Sequence, residues 1–299
     1  MQATTRLGLG TASLGSTARS MTDDIAVATI RHAIDHGIGC IDTAPAYGDA
    51  ERRVGLALAG GYRDRVHLTT KTDRDYSGTP SEIGARIQRT FEQSLRLLQT
   101  DRVDQLLIHD APNAHVVFAR GAALDTVLRL KAEGAVGAVG LGLRELDLLE
   151  AGVESGSVDA VLTFLSFNLL DQSAGARLLP AATARGVTVI NGSPLCMGLL
   201  VDDFDSRESV LDHMDPGGLK RGELRKWAHA NGLTLQALAL HYSLADRRIG
   251  VTLTGSRSVA ELEQALACRA SPQPPEFWQR LENQLGIPAP QCAVEGKTP

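Results

Sequence analysis

Short runs of β-branched and other apolar residues alternate along the chain with longer segments whose apolar residues recur at helical spacing. Strands are predicted at 7–11, 39–42, 66–71, 103–109, 136–143, 160–164, 187–191 and 249–254. Helices are predicted between and after them at 23–36, 51–58, 80–98, 122–133, 145–154, 174–184, 220–230, 235–245 and 259–267, with a terminal helix at 277–285. Every predicted strand is therefore followed by a helix.

A strand followed by a helix, repeated, requires a parallel sheet that is covered by helices. Repeated at this length, the pattern fits a closed (β/α)8 TIM barrel of the α/β class better than an open doubly wound sheet. We expect a single barrel domain over residues 1–285. Residues 286–299 are expected to form a tail, either flexible or folded as a flap over the barrel mouth. The long connection at 192–218 is expected to contain a lid or binding loops.

Composition narrows the function classes. The 299 residues include 30 Lys and Arg and 35 Asp and Glu, a formal net charge of −5 without a basic block, which argues against nucleic-acid binding. No apolar run approaches the roughly 20 residues of a membrane helix, and no secretory signal is recognisable. The 4 scattered cysteines fit a reducing cytoplasm better than a disulfide framework or a zinc site. We expect a cytoplasmic protein without a metal; its oligomeric state is open.

The first predicted loop contains a misleading glycine pattern. Gly8 to Gly15 looks like a dinucleotide fingerprint, but the third glycine of G-x-G-x-x-G falls on Ser13, and an extended polar connection is expected to follow. A Rossmann site is therefore disfavoured. These glycines are instead expected to let the first barrel loop pass close to a ligand or to a neighbouring loop.

Polar side chains follow three successive strands. Asp42 ends strand 2 with Tyr47 in the loop beyond it, Lys71 ends strand 3, and His109 ends strand 4 with Asp110 beside it. Each has a structural alternative: a turn cap, a rim aromatic, a buried ion pair or a core histidine. Because barrel enzymes build their sites at the carboxyl ends of the strands, the combination predicts one shared cavity.

Segments around these residues carry a family resemblance. They are DTAPAYG at 42–48, TK at 70–71, LLIHD at 106–110, NLLDQ at 168–172, SPLCMGLL at 193–200 and GSRS at 255–258. Over residues 7–266 the chain resembles the aldo-keto reductase superfamily, and in particular its aldose dehydrogenase branch, which includes the L-galactose and D-threo-aldose dehydrogenases. The resemblance implies an NAD(P)-dependent (β/α)8 oxidoreductase whose catalytic residues are Asp42, Tyr47, Lys71 and His109.

Each catalytic residue then has an expected role. Tyr47 is the expected general acid/base, because hydride transfer to or from a carbonyl carbon needs a proton at the oxygen. A Lys71 ammonium about 4 Å away is expected to lower the pKa of Tyr47 by roughly three units before the desolvation of the pair is subtracted. Asp42 is expected to hold Lys71, and His109 to orient the substrate oxygen and relay a proton. Asp110 either contacts a substrate hydroxyl or is simply solvated.

The cofactor is expected to cross the mouth near the loops after strands 1, 7 and 8. Arg257 suits an adenosine 2′-phosphate and favours NADP(H), whereas Glu261 suits ribose hydroxyls and favours NAD(H); the balance leans to NADP(H). The expected cofactor-binding residues are Gly10, Thr11, Asp42, Asn168, Ser193, Leu195, Gly198, Gly255, Ser256, Arg257 and Glu261.

Four positions depart from the family pattern. Many relatives carry Ser-Asn after strand 5, Gln after strand 6 and an aromatic residue after strand 7, all beside the nicotinamide. Here these positions are Gly142 and Leu143, Phe164, and Gly192. The departures concern nicotinamide contacts more than the four catalytic residues, and Asn168 is the candidate replacement for the amide contact.

The leading hypothesis is an oxidoreductase that acts on a small aldehyde or ketone, or on C1 of an aldose to give a lactone. The low aromatic content of 4% favours a polar, sugar-like substrate. A hydrolase barrel is disfavoured because no HxH pair lies near strand 1 and strand 7 ends without a second carboxylate. The alternative is a non-catalytic NADP(H)-binding barrel that acts as a sensor or binds a partner. Substrate and direction stay open.

Overall fold

The computed structural model describes residues 6–16, 21–203 and 212–292. Parallel strands β1 to β8 pair in chain order, and β8 pairs with β1 to close the barrel. The strands are β1 Leu7–Gly10, β2 Cys40–Asp42, β3 His67–Lys71, β4 Val103–His109, β5 Val136–Leu143, β6 Ala160–Thr163, β7 Thr188–Asn191 and β8 Ile249–Thr254. The predicted (β/α)8 TIM barrel is confirmed.

Helices surround the barrel. They are α1 Asp23–Asp35, α2 Ala50–Leu58, α3 Pro80–Leu98, α4 Ala114–Phe118, α5 Ala123–Ala132, α6 Leu146–Ser155, α7 Leu178–Arg185, α8 Leu219–Ala230, α9 Leu235–Ala245, α10 Val259–Ala270 and α11 Pro275–Leu285. The first and last residues predicted for α3 and α9 are those observed. Helix α3 begins there because Thr79 and Glu82 form a reciprocal capping box ahead of Pro80.

Local differences from the sequence prediction have simple causes. Strand β1 ends at Gly10, and Ala12–Gly15 form a 3₁₀ turn where an extended connection was predicted. The short helix α4 was not predicted; Asn113 caps it by accepting a hydrogen bond from Val116 N at 3.1 Å. Helix α7 starts four residues later than predicted, because a separate 3₁₀ turn occupies Ser173–Gly175.

Successive side chains along each strand point alternately into the barrel and out towards the helices. Leu107, Leu162, Ile190 and Leu253 form a small apolar cluster that is separate from the larger core between barrel and helices. His109 lies two residues beyond Leu107 and therefore shares its face, at the end of the strand. The apolar cluster thus forms a floor beneath the barrel mouth.

Residues 286–292 lie against the opposite end of the barrel, where the strands begin. The Tyr242 hydroxyl donates to Pro288 O at 2.8 Å, and Arg247 N, just ahead of β8, donates to Gln291 O at 2.8 Å. This part of the expected tail therefore does not form a flap over the mouth. Residues 293–299 of the tail and 204–211 of the long connection lie outside the described residues.

The first loop packs against the loop that follows β2. A Cβ atom on Gly15 would lie 1.6 Å from Tyr47 O, and Asp49 N donates to Gly15 O at 3.1 Å. Gly48 in the same contact has a φ of 59°, in the left-handed region that favours glycine. The predicted close approach of the first loop to a neighbour is confirmed, and the neighbour carries Tyr47.

We expect Gly15→Ala to lower the free energy of unfolding by about 1–3 kcal/mol, because the added methyl group has no space. Gly222→Ala in α8 is the matched control: its Cβ would meet nothing within 4 Å, and alanine favours the helix. Urea denaturation of both variants measures the effect. A Gly15→Ala protein as stable as the wild type would contradict the contact.

Candidate active site

The end of β3 carries a buried ammonium group. Lys71 Nζ donates to Asp42 Oδ1 at 2.5 Å and to Thr43 O at 2.9 Å. Burial disfavours the ammonium, but Asp42 and Tyr47 outweigh burial and raise the pKa of Lys71. Burial raises the pKa of Asp42, an effect that Lys71 opposes. Thr11 fixes the backbone of Asp42, since the Thr11 amide and hydroxyl both donate to the carbonyl oxygen Asp42 O at 2.9 Å.

Tyr47 lies beside this ion pair. Lys71 Nζ is 4.8 Å from the centre of the Tyr47 ring, and the ring meets that of His109 edge-on at 5.7 Å between centroids. The structure therefore brings the four expected catalytic side chains together, at the ends of β2, β3 and β4.

Opposing effects act on the pKa of Tyr47. Burial raises it above the ordinary value; Lys71 lowers it only in part, and Asp42 acts against Lys71. Lys71 therefore acts on the pKa of Tyr47 in the predicted direction, but burial, whose effect the prediction had not subtracted, outweighs it. At neutral pH the phenol keeps its proton and is a donor.

The backbone of His109 is fixed by residues that sequence reasoning missed. His109 N donates to Thr72 Oγ1 at 3.0 Å and to the Tyr76 hydroxyl at 3.1 Å, and that hydroxyl donates to His109 O at 2.8 Å. Burial, followed by the charges of Lys71 and two arginines, lowers the pKa of His109 to about 2. The ring is neutral at physiological pH, so it can orient an oxygen but supplies no imidazolium proton.

Two arginines were also missed. Arg74 Nη2 donates to His109 Nε2 at 3.1 Å and lies 3.0 Å from Asp110 Oδ2. Arg144 Nε lies 4.0 Å from the same carboxylate oxygen, and its guanidinium lies 4.8 Å above the Phe164 ring. Asp110 lines the cavity, where its carboxylate pairs with Arg74 and lies near Arg144; its expected contact with a substrate hydroxyl stays a prediction. Neither arginine ends a strand, so the strand-end criterion did not select them.

These side chains enclose a cavity of about 40 Å³, room for only a few water molecules. Its lining residues are Tyr47, Lys71, Arg74, His109, Asp110, Gly142, Arg144, Leu162 and Phe164. A more open groove adjoins it across Arg144 and Phe164 and is lined further by Ser166 and Asp171. A small polar ligand in the cavity and a longer ligand in the groove would both contact Arg144 and Phe164.

Several buried polar atoms at the strand ends have no hydrogen-bond partner among the described residues. They are Asp42 Oδ2, Thr43 Oγ1, His109 Nδ1 and Thr163 Oγ1. Unpaired buried polar atoms are rare in folded proteins because they are costly. Their clustering at the mouth fits a site that a polar ligand completes.

The loops after β7 and β8 suit a dinucleotide. Cys196, Met197 and Gly198 have φ values of 49°, 52° and 98° in succession, and such left-handed non-glycine residues concentrate at ligand sites. A Cβ atom on Gly255 would meet nothing within 4 Å, so its backbone is accessible. Ser193 Oγ accepts from Leu165 N at 2.5 Å and joins the loops after β6 and β7.

Asn168, Thr11 and Ser256, which are also expected to bind the cofactor, have their side chains engaged within the protein. Asn168 Nδ2 donates to Leu165 O at 3.0 Å, and its Oδ1 accepts from Leu170 N at 2.8 Å. The contact of Asn168 with the nicotinamide amide stays a prediction, although these bonds tie its side chain to its own loop. The Thr11 hydroxyl is bound to Asp42 O, and the Ser256 hydroxyl lies 3.0 Å from Thr254 Oγ1. Ser256 and Thr11 can offer a ligand only backbone groups or shared hydroxyls.

Arg257, which is expected to favour NADP(H), contacts Glu261, which is expected to favour NAD(H). Arg257 Nη2 and Nε lie 3.0 and 3.2 Å from Glu261 Oε1, and Arg257 N donates to Glu261 Oε2 at 2.9 Å. Ser258 caps α10 immediately beside them. Gly10, at the end of β1, and Leu195, in the loop after β7, are each half-buried.

The fold and the arrangement of these side chains define a barrel oxidoreductase, and comparison with known proteins gives the family. The chain belongs to the aldo/keto reductase family, whose model matches residues 6–285. It is 32% identical to L-galactose dehydrogenase of Arabidopsis thaliana over 87% of this chain and 83% of that protein. It is 27% identical to D-threo-aldose 1-dehydrogenase of a Pseudomonas species over 95% of both chains.

A solved structure agrees. The aldo-keto reductase of Klebsiella pneumoniae in complex with NADPH superposes with a TM-score of 0.73 at 25% identity, over 98% of this chain and 95% of that one. The protein is therefore an NAD(P)-dependent oxidoreductase. None of these matches supports the sensor alternative. In the part of the chain that the structure describes, no helix is long and apolar enough to cross a membrane.

We expect Lys71→Met to lower the free energy of unfolding by about 3–5 kcal/mol, because it leaves the Asp42 carboxylate buried without its cation. The double variant Asp42→Asn, Lys71→Met removes both charges and is expected to recover most of that loss while remaining inactive. Urea denaturation and turnover measure the two effects separately. A double variant no more stable than Lys71→Met would contradict the ion pair.

Proposed function

We propose that the protein transfers hydride between NADP(H) and the carbonyl carbon of a small aldehyde or ketone, or C1 of an aldose. The observation that carries this proposal is the convergence of Tyr47, Lys71 and His109 on one cavity. The names of the relatives, L-galactose dehydrogenase and D-threo-aldose 1-dehydrogenase, support an aldose as one substrate class.

In the reducing direction Tyr47 donates its proton to the carbonyl oxygen as charge develops there. When bound, the nicotinamide supplies the hydride. Lys71, 4.8 Å from the ring centre, stabilises the phenolate left behind, and Asp42 keeps Lys71 in place. His109 is held by Thr72 and Tyr76 and orients the substrate oxygen.

We propose that the cofactor lies across the loops after β1, β7 and β8. The backbone at Gly10, Ser193, Leu195, Gly198, Gly255 and Ser256 would contact it, with Arg257 and Glu261 at the adenosine end. The preference for NADP(H) is supported by the Arg257 side chain, which is 69% exposed and can turn from Glu261 to a phosphate.

We also propose that residues 1–285 form one barrel domain followed by the tail 286–299, and that the protein works in the cytoplasm. All four cysteines are free and three are buried, which suits a reducing compartment.

We expect Tyr47→Phe to lower kcat for carbonyl reduction by about 10²–10⁴-fold, because the proton donor is lost, while NADPH binding is retained. Because the pKa of Tyr47 is raised above its ordinary value near 10, wild-type reduction should stay level through neutral pH and fall only in strong alkali. Alcohol oxidation, which needs the phenolate, should rise with pH. Steady-state rates measured in both directions test this, with circular dichroism confirming the fold. Unchanged turnover in Tyr47→Phe would remove it from the reaction.

For the cofactor, we expect Arg257→Gln to weaken NADPH binding about tenfold or more relative to NADH, because charge-assisted hydrogen bonds to the 2′-phosphate are lost. Glu261→Gln should act in the opposite sense by releasing Arg257. Calorimetric titration with each nucleotide measures the ratio, and Arg225→Gln on the exposed face of α8 is the control. An unchanged ratio in both variants would place the adenosine elsewhere.

A further inference from the structure

The cavity at the barrel mouth carries unbalanced positive charge. Lys71 is neutralised by Asp42, whereas Arg74 and Arg144 lie 3.0 and 4.0 Å from a single Asp110 oxygen. The neighbouring Asp73 does not restore the balance at this point. Its Oδ1 accepts from two backbone amides of its own turn, at 2.5 and 3.2 Å, and it does not line the cavity.

Both arginines have donors to spare. Their side chains are 45% and 54% exposed. Apart from the contacts of Arg74 with His109 and Asp110, and those of Arg144 with Asp110 and Phe164, their guanidinium groups have no partner among the described residues. A planar guanidinium matches the two oxygens of a carboxylate, and stacking on an aromatic ring, as for Arg144 on Phe164, leaves its edge free to do so.

The position of Arg74 also affects His109. A guanidinium only donates hydrogen bonds, so His109 Nε2 accepts from Arg74 and the proton of the neutral ring lies on Nδ1. In this state Nε2 cannot donate to a substrate oxygen. An anion that draws Arg74 away would free Nε2 for the proton and the substrate contact.

We propose that Arg74 and Arg144 form a carboxylate subsite, and that the preferred substrates are short 2-oxo acids, including the aldehyde acid glyoxylate. This inference rests on the proposed function and names its substrate class. Because Arg74 lies 3.1 Å from His109, which faces the reacting oxygen, the carboxylate belongs on the carbon next to the carbonyl and not at the far end of a sugar. The cavity of about 40 Å³ has little room, which favours a short molecule over a longer one.

The reaction on such a substrate is balanced without any further reagent. Hydride from the reduced nicotinamide adds to the carbonyl carbon, the carbonyl π bond breaks towards oxygen, and the Tyr47 proton is transferred to that oxygen. The nicotinamide is oxidised, the 2-oxo acid is reduced to a 2-hydroxy acid, and the carboxylate is unchanged. Solvent returns a proton to Tyr47.

Matched substrate pairs test the subsite. We expect kcat/KM at least tenfold higher for glyoxylate than for glycolaldehyde, and for pyruvate than for hydroxyacetone. Arg144→Gln and Arg74→Gln should each lower this acid-to-neutral ratio by about 10–100-fold, since a charge-assisted contact is lost. Arg102→Gln is the matched control, because Arg102 is also 54% exposed but lies just ahead of β4, at the other end of the barrel. Glucuronate turned over better than glyoxylate would overturn the placement of the carboxylate.

Binding of oxamate, an inert 2-oxo acid analogue, separates this inference from the proposed function. We expect calorimetric binding of oxamate to the wild type, weakened at least tenfold in Arg144→Gln. Turnover of neutral carbonyls with no oxamate binding and no acid preference overturns the subsite and leaves the proposed function standing. Oxamate binding that depends on Arg144, without turnover of any carbonyl, supports the subsite and overturns the function.

Discussion

A buried ion pair between Lys71 and Asp42 determines what the mouth of this barrel can do. Desolvating two charges is costly, and such a pair is tolerated only where further hydrogen bonds satisfy both groups. Here Thr43 O accepts from the ammonium, and Thr11 donates twice to the Asp42 backbone. These contacts join the ends of β1, β2 and β3 and fix Asp42 and Lys71, whereas His109 on β4 is held separately by Thr72 and Tyr76.

The same pair explains why Tyr47 is a proton donor. Asp42 lies 2.5 Å from the ammonium that would otherwise acidify the phenol, and it cancels much of that field. Burial then has the larger effect, and the pKa of Tyr47 lies above its ordinary value. A protonated phenol beside a fixed cation suits carbonyl reduction at neutral pH, because the cation stabilises the charge that remains after the proton leaves. Alcohol oxidation must first remove that proton.

The strand ends could be read from the sequence because they depend on local patterns. Long apolar runs bounded by helix stops located β4 and β5, and with them His109. The hydrogen-bond partners of the side chains in the loops could not be predicted in this way. Arg74 contacts His109 because the loop after β3 packs against β4, where Tyr76 bonds to His109 O. The Asn168 side chain is bonded within its own loop. The strand ends did predict Lys71 and Asp42 beside Tyr47, but the burial that raises the pKa of Tyr47 depends on the packed structure and not on spacing along the chain.

The departures at β5, β6 and β7 form one connected change. Leu162 Cδ2 would lie 2.7 Å from a Cβ at Gly192, so β7 cannot carry an aromatic side chain there without repacking. Phe164, on the same face as Leu162, instead brings an aromatic ring to the mouth from β6. Gly142 lines the cavity beside that ring, and Arg144 lies over the ring and extends towards Asp110. Arg144 and Phe164 thus place a cation on an aromatic face in the wall of the cavity. A cation in the cavity wall favours substrates that carry negative charge, whereas the proposed proton transfer involves Tyr47 and the neighbouring Lys71.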